Sequence, residues 1–337
     1  MITWDNAKLE PVLITFNRAQ HLEKTLRAFF DAGLTSMRLH VLDNASTDET
    51  PEVVARFQAQ WQNLHYHRNK YNIGGNANIL RAVEISNSEY HWVIGDDDEW
   101  YLSHTNELID ILKNTAADVI RLGWQASGMS RGKTLDSEII RTQEKMFFGS
   151  LSMISATILR RSLVTRYLCS AYANISNFYQ QIIPVVLANQ NEKISVHTLK
   201  NDLMLHTPNS TAAYFLGDLE WYTIWYKTGL FFCDEKKRAK FNQETIHYAR
   251  FTAKNHKLGL PPWLSLIRIC LYFKSLRISQ SRYLVEIFLY GKGVRWIFFL
   301  PACAYFLTPG FLAAGLRNLY QKIYKLPVKN PKRDTSR

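Results

Sequence analysis

Apolar and polar positions fall in short blocks along the first hundred residues, and the period changes from block to block. Pro11–Phe16 is an apolar run stopped by Asn17 and Arg18, the pattern of a buried parallel strand. From His21 to Asp31 the apolar residues Leu22, Leu26, Phe29 and Phe30 recur at helical spacing, and Gly33 follows as a C-terminal cap. Arg38–Leu42 reads as a second strand. It runs into Asp43-Asn44-Ala45-Ser46-Thr47-Asp48, which offers several N-caps for a helix holding Val53, Val54 and Phe57. Leu64–His67 is a third strand, Ala77–Ile85 a further helix, and Tyr90–Ile94 a fourth strand ending in Gly95-Asp96-Asp97-Asp98.

Strands alternating with helices predict an α/β fold, with a mostly parallel sheet flanked by helices on both faces. In such sheets ligands bind outside the carboxyl ends of the strands. Asn17-Arg18, Asp43-Asn44 and Asp96–Asp98 each close a strand, so the topology would gather them at one edge. Further along, Asp118–Leu122 reads as a strand and Ser127–Ser137 as a polar loop. Phe147–Leu159 reads as a strand or strand pair, and Asn177–Ala188 as a helix that Pro184 kinks or shortens. Glu192–Leu205 reads as a strand pair or a strand and turn. From about Trp221 the period is helical and strongly aromatic, which divides the chain into a first domain over 1–220 and a helical region over 221–337.

Charge sharpens that division. The net charge of +12 looks at first like a nucleic-acid binder. Residues 251–337, however, hold 15 Lys and Arg against Glu286 and Asp334 alone, so the first 250 residues sum to −1. Basic and apolar residues mixed in one segment fit an anionic membrane surface better than a nucleic-acid groove. Val294–Leu316 is apolar and long enough to span a bilayer, but Pro301, Thr308, Pro309 and Gly310 interrupt it. Two shorter helices lying in the interface are expected. The opening MITWDNAKLE has no basic start followed by an apolar run, and the four cysteines have no disulfide or metal-ligand spacing. These features read as a cytoplasmic protein attached to the inner face of the cytoplasmic membrane.

Chemistry concentrates at the strand ends. Gly95-Asp96-Asp97-Asp98-Glu99 places four acids in a row, and a divalent cation relieves their repulsion; hard oxygen donors favour Mg2+ or Mn2+. A solvated acidic loop would look the same in isolation. Asp43 could accept from a base or a ribose hydroxyl, with Ser46 or Asp48 left to cap the next helix. Gly74 and Gly75 open a helix whose N-terminus favours an anion, without the spacing of the dinucleotide fingerprint.

Four segments, VLITFNRAQHLEKTLRAFF, VLDNASTDET, NIGGNANILRAVE and YHWVIGDDDEW, together resemble the family-2 glycosyltransferases of the GT-A fold, over roughly residues 10–130. The resemblance implies a metal-dependent transferase that moves a sugar from a nucleotide-sugar donor to a hydroxyl of a saccharide acceptor, in bacterial surface polysaccharide synthesis. UDP is the donor nucleotide most often used in such proteins, with CDP, GDP and dTDP as alternatives. The acceptor would be a free saccharide or one on a polyprenyl diphosphate, and a nucleic-acid partner is not expected. Residue by residue, the resemblance implies Thr15, Phe16 and Arg18 near the base with Asp43 bonding it, beside Asn44, Gly74, Gly75 and Asn78. It implies Asp96 on the ribose, and Asp97 with Asp98 on the metal. A late histidine near the metal or diphosphate would be His206. Gly95 stands where many members carry an acid.

One departure matters. Inverting members carry an acid pair in the second half that deprotonates the acceptor, whereas Asn174–Pro184 contains no acid. Either the base comes from elsewhere, from Asp136, Glu138, Glu144 or Asp202, or the transferase retains configuration. The missing acid and the GDDD run resemble transferases of dideoxyhexoses such as abequose. A nucleotide-sugar-binding protein without catalysis is the alternative outside enzymology. A nucleotidyltransferase fits less well, because Thr-Phe-Asn-Arg-Ala-Gln replaces the Gly-rich basic loop expected after the first strand.

Overall fold

A computed structural model describes residues 3–123, 129–176, 180–205, 214–255, 267, 270, 271, 274 and 281–324. It contains two compact units, Met1–Pro208 and Asn209–Arg337.

In the first unit, β1 (Leu9–Thr15), β2 (Leu39–Asp43), β3 (Leu64–Arg68) and β4 (Tyr90–Gly95) follow one another with α1 (Ala19–Asp31), α2 (Thr50–Gln58) and α3 (Gly75–Ile85) between them. Helix Thr105–Asn114 then leads to β6 (Val119–Arg121), after the two-residue strand β5 (Glu99–Trp100). The remaining strands are β7 (Lys133–Asp136), β8 (Thr157–Arg160), β9 (Ser195–Thr198) and β10 (Met204–Leu205). Among the described residues, eight strands form one sheet in the order β3-β2-β1-β4-β8-β6-β9-β7, and β5 pairs with β10. β1 is parallel to β2 and β4, β2 to β3, and β6 to β9; β8 runs antiparallel to both β4 and β6, and β7 to β9. The carboxyl ends of β1, β2, β3, β4, β6 and β9 therefore share one edge.

The α1 stripe anticipated from its period packs as expected: Leu22, Leu26 and Phe29 are at most 1% exposed. They join Leu13, Val41, Trp92 and Ile94 in one core on a single sheet face. Burying each such side chain contributes about 1.5–3 kcal/mol. The Phe29 ring meets Trp100 edge-on at 5.4 Å, which anchors the residues just after the acidic run to α1. On the opposite face Val12, Leu42 and Val93 pack on Ala82 of α3.

Two segments depart from the sequence expectation. Ser127–Ser137 is not a loop throughout: β7 pairs with β9, and Ser137 already begins a helix capped by Asp136, whose Oδ1 accepts from the Glu138 N–H at 2.7 Å. Phe147–Leu159 is a short helix (Phe147–Leu151), a 3-10 turn (Ile154–Ala156) and only then a strand. Its serines serve the local chain: Ser150 Oγ donates to the Phe147 carbonyl at 2.6 Å, a bond that a helical turn allows and a strand does not. Pro184 shortens the helix rather than kinking it: helix Ile183–Asn191 starts with Pro184 in its first turn, where the missing N–H has no partner to lose.

The second unit is helical, and its split from the first lies at 208 against the expected 220. Tyr214–Gly229 and Glu235–Asn255 are long helices, and Trp225 stacks on Phe241 at 4.5 Å. The apolar stretch near the C-terminus breaks into two helices, Phe299–Leu307 and Gly310–Tyr324, with Thr308 and Pro309 between them. Among the described residues no single helix is long and apolar enough to cross a membrane; Arg295–Leu307 and Gly310–Leu316 meet that test only as a pair bent by 111°. Trp296, Phe299, Leu307 and Phe311 are at least half exposed.

Candidate functional site

The loops that leave β1 and β2 are stitched together. Asn17 N–H donates to Ser46 Oγ at 2.9 Å, and Thr47 N–H donates to Asn17 Oδ1 at 2.7 Å. Asp48 accepts from Ala19 N–H at 2.9 Å and from Thr50 Oγ1 at 2.7 Å, so one carboxylate serves the starts of both α1 and α2. Asn17 and Ala45 hold φ of 51° and 67°, a left-handed backbone that side chains disfavour and that tends to occur at functional loops.

Asp43 is fully buried, with every near partner supplied by the protein. It accepts from the Ser46 N–H at 2.8 Å and the Tyr66 hydroxyl at 2.6 Å, and Arg68 Nε lies 3.3 Å away. Burial and the neighbouring carboxylate push the Tyr66 phenol above its ordinary pKa, so it stays a donor. Asn44 is tied to the loop before α3: its Nδ2 donates to Asn72 Oδ1 at 2.7 Å, and its Oδ1 accepts from Asn69 Nδ2 at 2.9 Å and Ile73 N–H at 3.0 Å. Asn69 also reaches Asn78 Oδ1 at 2.8 Å, which leaves Asn78 2% exposed and facing the network. Gly74 has φ 82° and ψ 153°, a conformation for glycine, and nothing lies within 4 Å of a Cβ built at Gly74 or Gly75. The start of α3 is thus open.

At the end of β4 the acids divide their tasks. Asp96 is 4% exposed and accepts from the Thr15 hydroxyl at 2.7 Å and from Arg18 Nη1 at 3.1 Å. Thr15 thereby sits under the acidic run. Asp97 Oδ2 accepts from the same Arg18 nitrogen at 2.7 Å. Asp98 lies against Ser155, and burial, with Asp97 and Asp96 beside it, raises its pKa to about 6. Gly95 explains the convergence: a Cβ there would meet Asp98 Oδ2 at 3.2 Å, Asp97 Oδ1 at 3.4 Å and Ser155 Oγ at 3.5 Å. Two carboxylate oxygens and a hydroxyl therefore crowd the position a Cβ would take, although among the described residues no group of three or more His, Cys, Asp or Glu is placed to hold a metal ion. Three carboxylates against one guanidinium leave net negative charge at the end of β4.

Phe16 is 39% exposed at the same edge. Asp202 stands beside Gly123, where β6 ends, in an ion pair with Arg131 at 2.7 Å. Leu205 pairs opposite Glu99, which brings the strand after Asp202 alongside the residues that follow the acidic run. His206 lies outside the described residues. Three other acids named as possible bases have structural partners: Asp136 caps a helix, Glu138 pairs with Arg141 at 3.1 Å, and Glu144 forms a buried two-pronged pair with Arg121 at 2.7 and 2.9 Å. In the acid-free segment, Gln180 Nε2 donates to the Asn76 carbonyl at 3.1 Å and Gln181 Nε2 to the Ser152 carbonyl at 2.9 Å.

Sequence reasoning missed Tyr66, Arg68, Asn69 and Ser155. The first three leave β3 at the shared edge, so the rule used for β1, β2 and β4 would have found them. Ser155 carried no signal, since only the β4–β8 pairing brings it to Gly95.

Comparison with known proteins bears on the family and the fold. The model of glycosyl transferase family 2 matches residues 12–167. Abequosyltransferase RfbV of Salmonella typhimurium is 33% identical over 91 residues, 25% of this chain and 26% of that protein. A GalNAc(5)-diNAcBac-PP-undecaprenol beta-1,3-glucosyltransferase of Campylobacter jejuni is 30% identical over 93 residues, 27% of this chain and 30% of its own length. The matches thus span under a third of these relatives. Among solved structures, S. aureus TarS 1-349 in complex with UDP superposes with a TM-score of 0.54 at 13% identity, covering 97% of this chain and 95% of TarS 1-349. The same S. aureus fragment alone gives 0.53 at 14% identity, over 92% and 91%. Residues 12–167 therefore match glycosyl transferase family 2, and the chain shares the fold of these solved structures, with the mostly parallel sheet that its strand-end motifs implied.

Proposed function

We propose that this protein transfers a sugar from a nucleotide-diphosphate donor to a hydroxyl of a lipid-linked saccharide acceptor in bacterial surface polysaccharide synthesis. The observation that carries this reading is the three-oxygen cradle over Gly95, at the edge where Phe16, Arg18, Asn44 and the open start of α3 also emerge. The names of two relatives, an abequosyltransferase and a transferase acting on an undecaprenol-linked saccharide, support the substrate class. TarS was crystallised with UDP, which favours UDP as the first donor nucleotide to try, ahead of CDP, GDP and dTDP.

In this reading Phe16 offers its ring to the base. Asp43 and Asn44 shape the base pocket through Ser46, Tyr66 and the asparagine network, and Asp96, held by Thr15, faces the ribose. Gly74, Gly75 and the first N–H groups of α3 receive phosphate oxygens. Asp97 and Asp98 hold Mn2+ or Mg2+, with His206 as a further ligand. Such a cation, when bound, neutralises charge on the departing diphosphate. Asp202 is the acid we assign to the acceptor hydroxyl, with Arg131 holding its carboxylate. A second reading, retention of configuration, draws on Gln180 and Gln181, amides bonded to backbone where inverting relatives place an acid. The helical unit attaches to the inner face of the cytoplasmic membrane through its exposed Trp296, Phe299, Leu307 and Phe311.

Calorimetric titration with UDP, CDP, GDP and dTDP, with and without Mn2+, tests the reading on wild type and Asp97→Ala. Metal-dependent binding of one nucleotide, lost in Asp97→Ala, is expected. No binding of any nucleotide by folded wild type would overturn the transferase reading in favour of a non-catalytic role.

A further inference from the structure

Arg18 follows β1 closely, and its contacts are with the acidic run at the end of β4. Its Nη1 bridges Asp96 Oδ1 at 3.1 Å and Asp97 Oδ2 at 2.7 Å. The carboxylates are 5% and 26% exposed and the arginine side chain 45%, so the guanidinium is the more exposed partner of each pair. Asp97 thus has one oxygen on a resident cation and the other on the cradle over Gly95. A guanidinium and a divalent ion sharing one carboxylate repel each other across a few ångströms. A guanidinium is also well suited to two-pronged binding of phosphate oxygens.

We propose that Arg18 is a built-in stand-in cation: it holds the acidic run closed to metal until a nucleotide diphosphate draws its guanidinium away, so that metal and donor enter together. The proposal rests on Asp97 and Asp98 as the metal site. Its consequence is a positive coupling between Mn2+ and nucleoside diphosphate that depends on the charge at position 18. By linkage, each ligand tightens the other by the same factor.

The test counts free Mn2+ by electron paramagnetic resonance, which needs no turnover, in wild type, Arg18→Gln and Arg18→Lys, each with and without UDP. Far-ultraviolet circular dichroism and melting temperature check the fold of each variant. In wild type, Mn2+ alone binds weakly and UDP strengthens it at least tenfold. In Arg18→Gln, Mn2+ alone binds about tenfold tighter, a difference of about 1.4 kcal/mol, and the effect of UDP shrinks. Arg18→Lys, which keeps the charge, retains most of the coupling. Unchanged Mn2+ affinity in folded Arg18→Gln, or coupling as large as in wild type, would overturn the stand-in role and leave the metal site standing. Absence of Mn2+ binding in every protein, with UDP present, would overturn the metal site itself.

Discussion

The Tyr66 hydroxyl donates to the Asp43 carboxylate at 2.6 Å, and this bond joins the carboxyl ends of β2 and β3 beneath the pocket assigned to the base. Asp43 has no exposed surface, so its effect on a ligand passes through Ser46, Tyr66 and Arg68. Tyr66→Phe should weaken nucleotide binding several-fold with a loss of about 1 kcal/mol in stability. Asp43→Ala should cost more in both, because it strands the Ser46 N–H and the Tyr66 hydroxyl together. Calorimetry and urea unfolding on the two variants measure this; a Tyr66→Phe protein binding like wild type would detach the phenol from the pocket.

Gly95 makes room for the cradle. Gly95→Ala puts a methyl group 3.2 Å from Asp98 Oδ2 and 3.4 Å from Asp97 Oδ1. We expect Mn2+-dependent nucleotide binding to fall by at least tenfold while the melting temperature moves by only a few degrees. Equal losses in the metal-free and metal-loaded titrations would place the effect elsewhere.

Stability should fall in mild acid. His91 is buried on β4, and neither ring nitrogen has a partner among the described residues; burial, with Arg161 nearby, lowers its pKa to about 3. Below the ordinary histidine range the unfolded chain takes a proton that the folded chain refuses until about pH 3, so stability is lost as pH falls from about 6.5. His40, His67 and His197 are lowered too and act in the same direction. Asp98, raised to about 6, acts against them, since the folded chain takes its proton first. Melting temperatures of wild type and His91→Phe between pH 5 and 8 provide the check. The variant should show the shallower slope, and parallel curves would exclude His91 as a source.

The Arg121–Glu144 pair is 1% and 4% exposed, with Thr198 and Ser150 also bonded to the arginine. Removing one partner leaves a buried charge unmatched, so Glu144→Ala should cost about 3–5 kcal/mol. The double replacement Arg121→Met with Glu144→Leu should recover most of that in urea unfolding. A Glu144→Ala protein that stays fully stable but cannot turn over donor would return Glu144 to the list of bases.

Attachment to lipid should depend on the bent pair of helices. Leu307 is 79% exposed and Phe311 75%, on either side of the break. Flotation with vesicles containing phosphatidylglycerol should carry wild type upward. Leu307→Glu with Phe311→Glu should leave most of the protein in the dense fraction, with nucleotide binding intact. Flotation equal to wild type would move the attachment elsewhere in the chain.

Local pattern alone was enough for β1, β2, β3, β4 and the helices between them, because each announces itself within one block of consecutive residues. It was also enough for the placement of Asp43 and Asp96–Asp98 at one edge, since parallel crossovers bring alternate strand ends together. It failed at Phe147–Leu159, where apolar content is the same for a buried helix and a strand and only local hydrogen bonds separate them. Side-chain partners were beyond it. Arg18 reaches Asp97, and Ser155 reaches Gly95, only because β4 lies between β1 and β8. The sequence by itself thus determined the element types and the edge at which chemistry collects. The tertiary structure decided which charges meet there, because ion pairs and hydrogen bonds depend on strand order and register across stretches of chain that no local period encodes.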